Sequence, residues 1–166
     1  SMKVLKFGGT SVGTPQRMKD VVRLINDGEK KIVVLSAMSG TTNTLVEISD
    51  YFRKNNAEAA NRVINELGAK YRQHVSELYD SEAYAQKATE VLSDIFAVLR
   101  AFSHRAFGDA EEKIVLAQGE IMSTNMVTLY MQEQGIKTTL IPALNYMRLD
   151  ANDEPDTGYI GDKLKE

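Results

Sequence analysis

The sequence contains no cysteine, which excludes disulfide bonds, thiolate metal sites and a cysteine nucleophile. No apolar run approaches the roughly 20 residues that a membrane-spanning helix needs. No signal-peptide pattern precedes the first apolar segment. A disulfide-free chain without such a signal is typical of the cytoplasm. We therefore expect a cytoplasmic protein without a membrane partner.

Blocks of basic residues are also missing. Lysine and arginine together number 20 against 23 acidic residues, and the net charge is −3. This balance argues against a nucleic-acid partner. At 166 residues, 43% hydrophobic and 26% charged, the chain has the composition of an ordinary globular protein and the length for one domain with a good core.

The most informative stretch is a glycine-rich turn at residues 6–12, with the sequence KFGGTSV. It follows a short apolar segment that predicts a strand over Lys3–Phe7. Because glycine tolerates positive φ, Gly8 and Gly9 could let the turn aim backbone N–H groups at an anion such as phosphate. Lys6 could supply a charge to a transferring phosphoryl group.

As a bare pattern, two glycines after a strand also fit a simple tight turn. The turn is not a P-loop, because no Gly-Lys-Ser/Thr follows at the required spacing. Nor is it the dinucleotide fingerprint, since Gly8, Gly9 and Gly13 do not fit G-x-G-x-x-G. Phosphate binding is therefore a hypothesis at this point.

A βαβ unit occupies the first 35 residues. Thr14 as N-cap and Pro15 at the first helical position predict a helix that Gly28 ends. The β-branched run Lys31–Leu35 predicts a strand buried on both faces, as in a parallel sheet. Ligands of such sheets gather beyond the carboxyl ends of the strands, where both the glycine turn and the segment after residue 35 lie.

The segment at residues 36–43, SAMSGTTN, carries four hydroxyls and a glycine. It fits a polar loop in which Thr42 or Asn43 caps a helix over residues 44–53. Alternatively, hydroxyls next to a helix N-terminus suit a carboxylate or phosphate. The pattern alone favours the polar loop.

Two long helices follow, separated near residues 80–82, and we expect an antiparallel hairpin that serves as scaffold. His74 and His104 lie on these helices without a partner motif, as surface or interface residues.

A further helical region begins at Asp109. Gly119 predicts a break in it, which would place Glu120 in the first turn of a new helix, where the dipole favours a carboxylate. Ser123 would face the same way.

The last part of the sequence predicts strands at residues 136–141 and 145–149. Residues 150–157 are rich in acids and predict a solvated loop. They lack the glycine and terminal glutamate of a calcium loop. Residues 160–166 predict the beginning of a helix, and we expect the chain to be cut inside it.

Three of these stretches together resemble the motifs of aspartate kinases, in the amino-acid kinase family: KFGGTSV at residues 6–12, SAMSGTTN at 36–43, and Gly-Glu-x-x-Ser at 119–123. The resemblance implies a three-layer α/β/α sandwich with a mainly parallel sheet. Residues 1–166 would be the N-terminal, amino-acid-binding lobe. The nucleotide lobe and the regulatory ACT domains would be absent from this chain.

The resemblance also implies the reaction: ATP-dependent phosphorylation of the side-chain carboxylate of L-aspartate to 4-phospho-L-aspartate, in lysine, threonine and methionine biosynthesis. ATP and Mg²⁺ would be the cofactors of a full-length homo-oligomer, with no dedicated metal cage in this stretch. Lys6 would be the catalytic lysine. The residues that contact phosphate or ATP would be Lys6, Gly8, Gly9, Thr10 and Ser11. Those that bind aspartate would be Ser36, Thr42 and Glu120, with Glu120 also fixing the catalytic lysine.

Two alternatives stay open. The fragment could be a catalytically silent amino-acid-binding module, as the missing ATP lobe favours. The parent enzyme could also be another amino-acid kinase, such as a glutamate 5-kinase.

Overall fold

The computed structural model describes residues 2–141 and 146–151. It has an α/β fold, as expected. The strands are β1 (Lys3–Phe7), β2 (Lys31–Leu35), β3 (Thr138–Ile141) and β4 (Tyr146–Leu149). The helices are α1 (Pro15–Ile25), α2 (Thr41–Arg53), α3 (Ala57–Leu78), α4 (Glu82–Ala101) and α5 (Asp109–Glu133), with a 3₁₀ turn at Phe102–His104.

The first βαβ unit forms where the sequence predicts it. Thr14 caps α1, its side-chain oxygen accepting from the Arg17 backbone N–H at 3.1 Å, and Pro15 takes the first helical position. Met18, Val21, Val22 and Ile25 form the buried face of α1. The helix ends at Ile25, and Gly28 follows with φ of 83°.

The four described strands form one sheet in the order β1-β2-β4-β3. Only β1 and β2 pair in parallel, and both β2–β4 and β3–β4 pair antiparallel. The expected mainly parallel sheet is therefore wrong for these strands, and the sheet is mixed. The reason is the short connection between β3 and β4, because a parallel pair needs a crossover of a dozen or more residues.

One hydrophobic core lies between the sheet and the helices. Val33 and Leu35 of β2 and Met147 and Leu149 of β4 belong to it, whereas Ile32 on the alternate face does not. Helix α5 contacts β2, β3 and β4, and α1 contacts both α3 and α5. The described residues thus build the sheet and one helical layer of the expected sandwich.

The helical hairpin is confirmed. Arg100 on α4 donates to Asn65 on α3 at 2.9 Å, and the rings of Phe96 and Tyr71 lie 6.2 Å apart. Residue numbers therefore run in opposite directions along the two helices. His74 on α3 is partly buried against Tyr71, at 5.9 Å between ring centroids, which agrees with an interface position.

The end of the described chain agrees with the sequence in its two strands and differs from it at Asp150. Strand β3 begins at Thr138, two residues later than expected, and β4 covers the described part of the predicted fourth strand. Asp150 is buried and pairs with Arg148 at 2.8 Å, so its expected place in a solvated loop is wrong. The rest of that loop and the helix predicted at 160–166 lie outside the described residues.

Candidate functional site

The candidate site lies at the edge of the sheet where β1 and β2 end side by side. Phe7 is opposite Leu35 in the parallel register, and the Ser36 N–H donates to the Phe7 carbonyl at 3.0 Å. The glycine turn and the segment at 36–43 therefore leave the sheet together, as the βαβ pattern predicts.

The glycine turn is built from two successive tight turns. The Ser11 N–H donates to the Gly8 carbonyl at 3.0 Å, and the Gly13 N–H donates to the Thr10 carbonyl at 3.3 Å. Neither Gly8 nor Gly9 has a positive φ, so the expected use of positive φ is wrong. Gly9 is required for another reason: a Cβ there would lie 2.9 Å from the Ala37 carbonyl oxygen.

Helix α5 approaches the same place from the helical layer. A Cβ on Gly119 would lie 2.7 Å from the Ala37 Cβ and 3.4 Å from Thr41 Cγ2. Helix α5 runs without interruption through Asp109–Glu133, so the predicted break at Gly119 is wrong. This glycine lets the helix pack closely on the second segment. All three motif segments therefore meet around Ala37.

Glu120 and Ser123 differ in environment. Glu120 is exposed on α5, well inside the helix rather than in a first turn. Ser123 is fully buried, and its Oγ has no hydrogen-bond partner among the described residues. The two residues are three positions apart on one continuous helix, and so about one turn apart on neighbouring parts of its surface, but only Glu120 reaches the solvent.

Lys6 is exposed near the end of β1. Its neighbours Leu5 and Phe7 pack against the core, so Lys6 projects from the opposite face of the strand. Its ammonium forms no ion pair with any described residue, Glu120 included. A positive charge that no described residue pairs suits an anionic ligand at this edge.

Helix α2 begins earlier than the sequence predicts. It starts at Thr41, with Gly40 at φ of 86° as an N-cap that offers no side-chain hydrogen bond. The predicted start at residue 44, with Thr42 or Asn43 as cap, is wrong. Thr42 lies exposed in the first turn, where the N–H groups have no intrahelical acceptor. This end of α2 suits a carboxylate or phosphate.

The first residue of α2 is held from the side by α3. Thr41 Oγ1 and the Tyr71 hydroxyl are 2.7 Å apart, and both side chains are fully buried. Burial raises the pKa of Tyr71 to about 12, although the hydrogen bond with Thr41 lowers it in part. Tyr71 therefore stays neutral and fixes the position of the α2 N-terminus.

Sequence reasoning missed Arg17. Its Nη1 donates to the Thr10 carbonyl at 3.0 Å, which ties α1 to the glycine turn. Together with Thr10, Thr14 and Ser39 it lines an open depression of about 370 Å³. The sequence contained one indication of this role. Arg17 lies three residues after the Thr14 N-cap, one helical turn from the end of the glycine turn. Arg17 adds a positive charge beside the turn.

The sequence model of the amino acid kinase family matches residues 1–166. The chain belongs to the amino acid kinase family. Similar proteins include bifunctional aspartokinase/homoserine dehydrogenase 2 of Arabidopsis thaliana, 34% identical over 148 residues, which cover 81% of this chain and 15% of that protein. An aspartate kinase of Pseudomonas fluorescens is 50% identical over 50 residues, 28% of this chain and 12% of that protein. The plant relative is chloroplastic, so family membership does not fix the compartment.

Solved structures of aspartokinases share the fold. Aspartate kinase of Clostridium acetobutylicum aligns with a TM-score of 0.60 at 18% identity, over 80% of this chain and 29% of that one. Escherichia coli aspartokinase III, in complex with aspartate and ADP, aligns with a TM-score of 0.55 at 25% identity, over 82% and 30%. The chain thus spans under a third of these proteins.

Within residues 2–141 and 146–151, no three His, Asp or Glu side chains are grouped so as to hold a metal ion. No helix in the same residues is both long and apolar enough to cross a membrane.

Proposed function

We propose that this chain is the amino-acid-binding part of an aspartate kinase, which transfers the γ-phosphoryl group of ATP to the side-chain carboxylate of L-aspartate. The convergence of the three motif segments around Ala37 carries this proposal. The similar proteins named as aspartokinases support it, one of them solved with aspartate and ADP. The product would be 4-phospho-L-aspartate, as in lysine and threonine biosynthesis.

The reaction needs positioning and charge stabilisation rather than proton abstraction. A free aspartate carboxylate has a pKa near 3.9 and is already ionised at neutral pH. It can therefore attack the γ-phosphorus directly, and the bond from that phosphorus to the bridging oxygen of ADP breaks. The lack of a catalytic histidine at this edge agrees with such a mechanism.

Lys6 is the residue that we assign to the transferring group. Its ammonium has no partner among the described residues, and it lies just before the glycine turn. Charge developing on the phosphoryl oxygens would be stabilised there. The backbone at Gly8 and Gly9 and the hydroxyls of Thr10 and Ser11 would contact phosphate oxygens.

Aspartate would be held by the other two segments. Thr42 in the first turn of α2 and Ser36 at the end of β2 supply hydroxyl donors for its carboxylate groups. Glu120 supplies a carboxylate for its ammonium. Bound with ATP, Mg²⁺ would supply charge neutralisation at the phosphates. The described residues contain no cluster of acids that would hold it by themselves.

The experiment that tests this function traps the acyl phosphate with hydroxylamine in the full-length enzyme. L-aspartate should give the hydroxamate and release ADP, whereas L-glutamate and D-aspartate should not. Hydroxamate from glutamate alone would assign the enzyme to glutamate 5-kinase chemistry and refute the proposal.

A binding module without turnover is the second candidate. The exposure of Lys6, Thr42 and Glu120 favours it for this chain, because an open site does not exclude water from the reaction. The same trapping assay on residues 1–166 separates the two functions: product formation shows catalysis, and aspartate binding without product shows a binding module.

A further inference from the structure

A cavity of about 120 Å³ lies between α3 and α4, away from the candidate site. Its floor is apolar, formed by Tyr71, Leu92 and Phe96, all of them buried. This volume is below the roughly 300 Å³ at which pockets for drug-sized ligands begin. The cavity therefore suits a small ligand with an apolar body.

The rim of this cavity is positive. Arg72 of α3 and Arg100 of α4 line it, and no acidic side chain is among the lining residues. Arg100 donates to Asn65, while Arg72 makes no hydrogen bond or ion pair with any described residue. Thr89 and Ser93 add hydroxyls. Guanidinium groups recognise carboxylates well, so a carboxylate head above an apolar body matches this lining.

Gly68 explains how the space arises. It is buried in the middle of α3 and lines the cavity, and a Cβ there would lie 3.4 Å from Arg72 Nη1. Glycine destabilises the interior of a helix, and here its missing side chain leaves room beside the Arg72 guanidinium.

The floor of the cavity is connected to the candidate site. The Tyr71 ring forms part of the floor, and its hydroxyl is bonded to Thr41, the first residue of α2. A ligand that shifts this ring would shift the α2 N-terminus, where Thr42 lies.

We propose that a small organic carboxylate binds between α3 and α4 and that its binding is coupled to amino-acid binding through Tyr71 and Thr41. The coupling rests on the proposed function, whereas the binding site does not. Typical coupling between two sites changes an affinity between about 5-fold and 150-fold.

The binding test uses isovalerate as the probe and uncharged isovaleramide as its isostere, titrated into the chain while backbone amide signals are recorded by NMR. Isovalerate should shift the signals around Gly68 and Ser93 to saturation, and isovaleramide should not. Arg72→Gln should weaken binding by about tenfold, the loss of one charge-assisted hydrogen bond. Arg62→Gln, an exposed arginine on α3 outside the cavity, should leave it unchanged.

The Gly68→Ala variant is a second test, because it fills the cavity without removing a charge. It should weaken isovalerate binding while the chain stays folded. Shifts that do not saturate, equal shifts by isovaleramide, or unchanged affinity in both Arg72→Gln and Gly68→Ala would overturn the site.

The coupling test measures the affinity for L-aspartate with and without saturating isovalerate. We expect a change of at least about fivefold, which Tyr71→Phe should abolish while isovalerate still binds. An unchanged aspartate affinity overturns the coupling and leaves the site. Absence of aspartate binding in both conditions counts against the proposed function and removes the coupling with it, while the isovalerate titrations still decide the cavity.

Discussion

At the scale of single residues, two glycines inside helices of this chain have different surroundings, and an added methyl group would meet different atoms at each. Gly119 is in contact with the Ala37 Cβ, at 2.7 Å from the position of an added methyl group. Gly68 meets only the end of the flexible Arg72 side chain, at 3.4 Å. The same substitution should therefore have opposite effects on stability at these positions.

Gly119→Ala should lower the free energy of unfolding by about 1–3 kcal/mol, because the added methyl group overpacks a rigid contact. Gly68→Ala, the matched control, should raise it by up to about 1 kcal/mol, the gain in helix propensity. Urea unfolding followed by circular dichroism measures both. Stabilisation by Gly119→Ala would contradict the close approach of α5 to the second segment.

Lys6→Met should lower kcat of the full-length enzyme about 10²–10³-fold, comparable to the loss of one transition-state donor. Lys3→Met, an exposed lysine on the same strand, should leave kcat unchanged. Steady-state ADP release measures both variants. A Lys6→Met enzyme with kcat within a few-fold of wild type would show that Lys6 does not stabilise the phosphoryl group.

At the scale of elements, the Tyr71–Thr41 hydrogen bond joins α3 to the start of α2. Burial raises the pKa of Tyr71 to about 12, whereas a tyrosine in an unfolded chain titrates near 10. Between these values the unfolded chain loses its proton while the folded chain keeps it. The contribution to stability is therefore complete below about pH 10 and declines as the pH rises toward 12.

Tyr71→Phe should flatten that decline. Because 1 pKa unit corresponds to 1.36 kcal/mol, the wild-type chain should lose up to about 2–3 kcal/mol more than the variant between pH 10 and 12. Some decline remains, since burial also raises the pKa of Tyr79. Urea unfolding at a series of alkaline pH values provides the measurement, and identical slopes for both proteins would refute a neutral, buried Tyr71.

The elements that were predicted correctly from the sequence are determined by signals close to them in the chain. The Thr14 cap with Pro15 fixes the start of α1, and the β-branched run fixes β2. The errors have tertiary causes. Helix α5 does not break at Gly119. A glycine is needed there because a side chain would collide with Ala37. Helix α2 starts at Thr41 because Gly40 supplies the turn and Tyr71 holds Thr41, a partner 30 positions away.

The candidate site was predicted in outline. The meeting of the glycine turn with the segment at 36–43 follows from parallel pairing of β1 and β2, which the pattern of the sequence indicates. Arg17 was missed, because its contact with the Thr10 carbonyl depends on how α1 folds back on the turn. The mixed sheet was missed as well, because strand direction depends on the connection between β3 and β4.

At the scale of the whole molecule, one hydrophobic core supports both the candidate site and the α3–α4 cavity. Buried hydrophobic residues from α1, β2, α2, α3, α4, α5 and β4 belong to a single cluster. The chain therefore has the apolar contacts to fold as one unit, and the proposed amino-acid site can be tested in residues 1–166.

The most direct test of the account is calorimetric titration of L-aspartate into this chain. We expect saturable binding at one site, weaker binding of L-glutamate, and a loss of about tenfold in affinity for Thr42→Val and Glu120→Gln, in the range for an unpaired polar contact. Glu90→Gln, an exposed control on α4, should bind as the wild type does. If L-aspartate gives no saturable heat, or binds both site variants unchanged, the three motif segments do not form the amino-acid site.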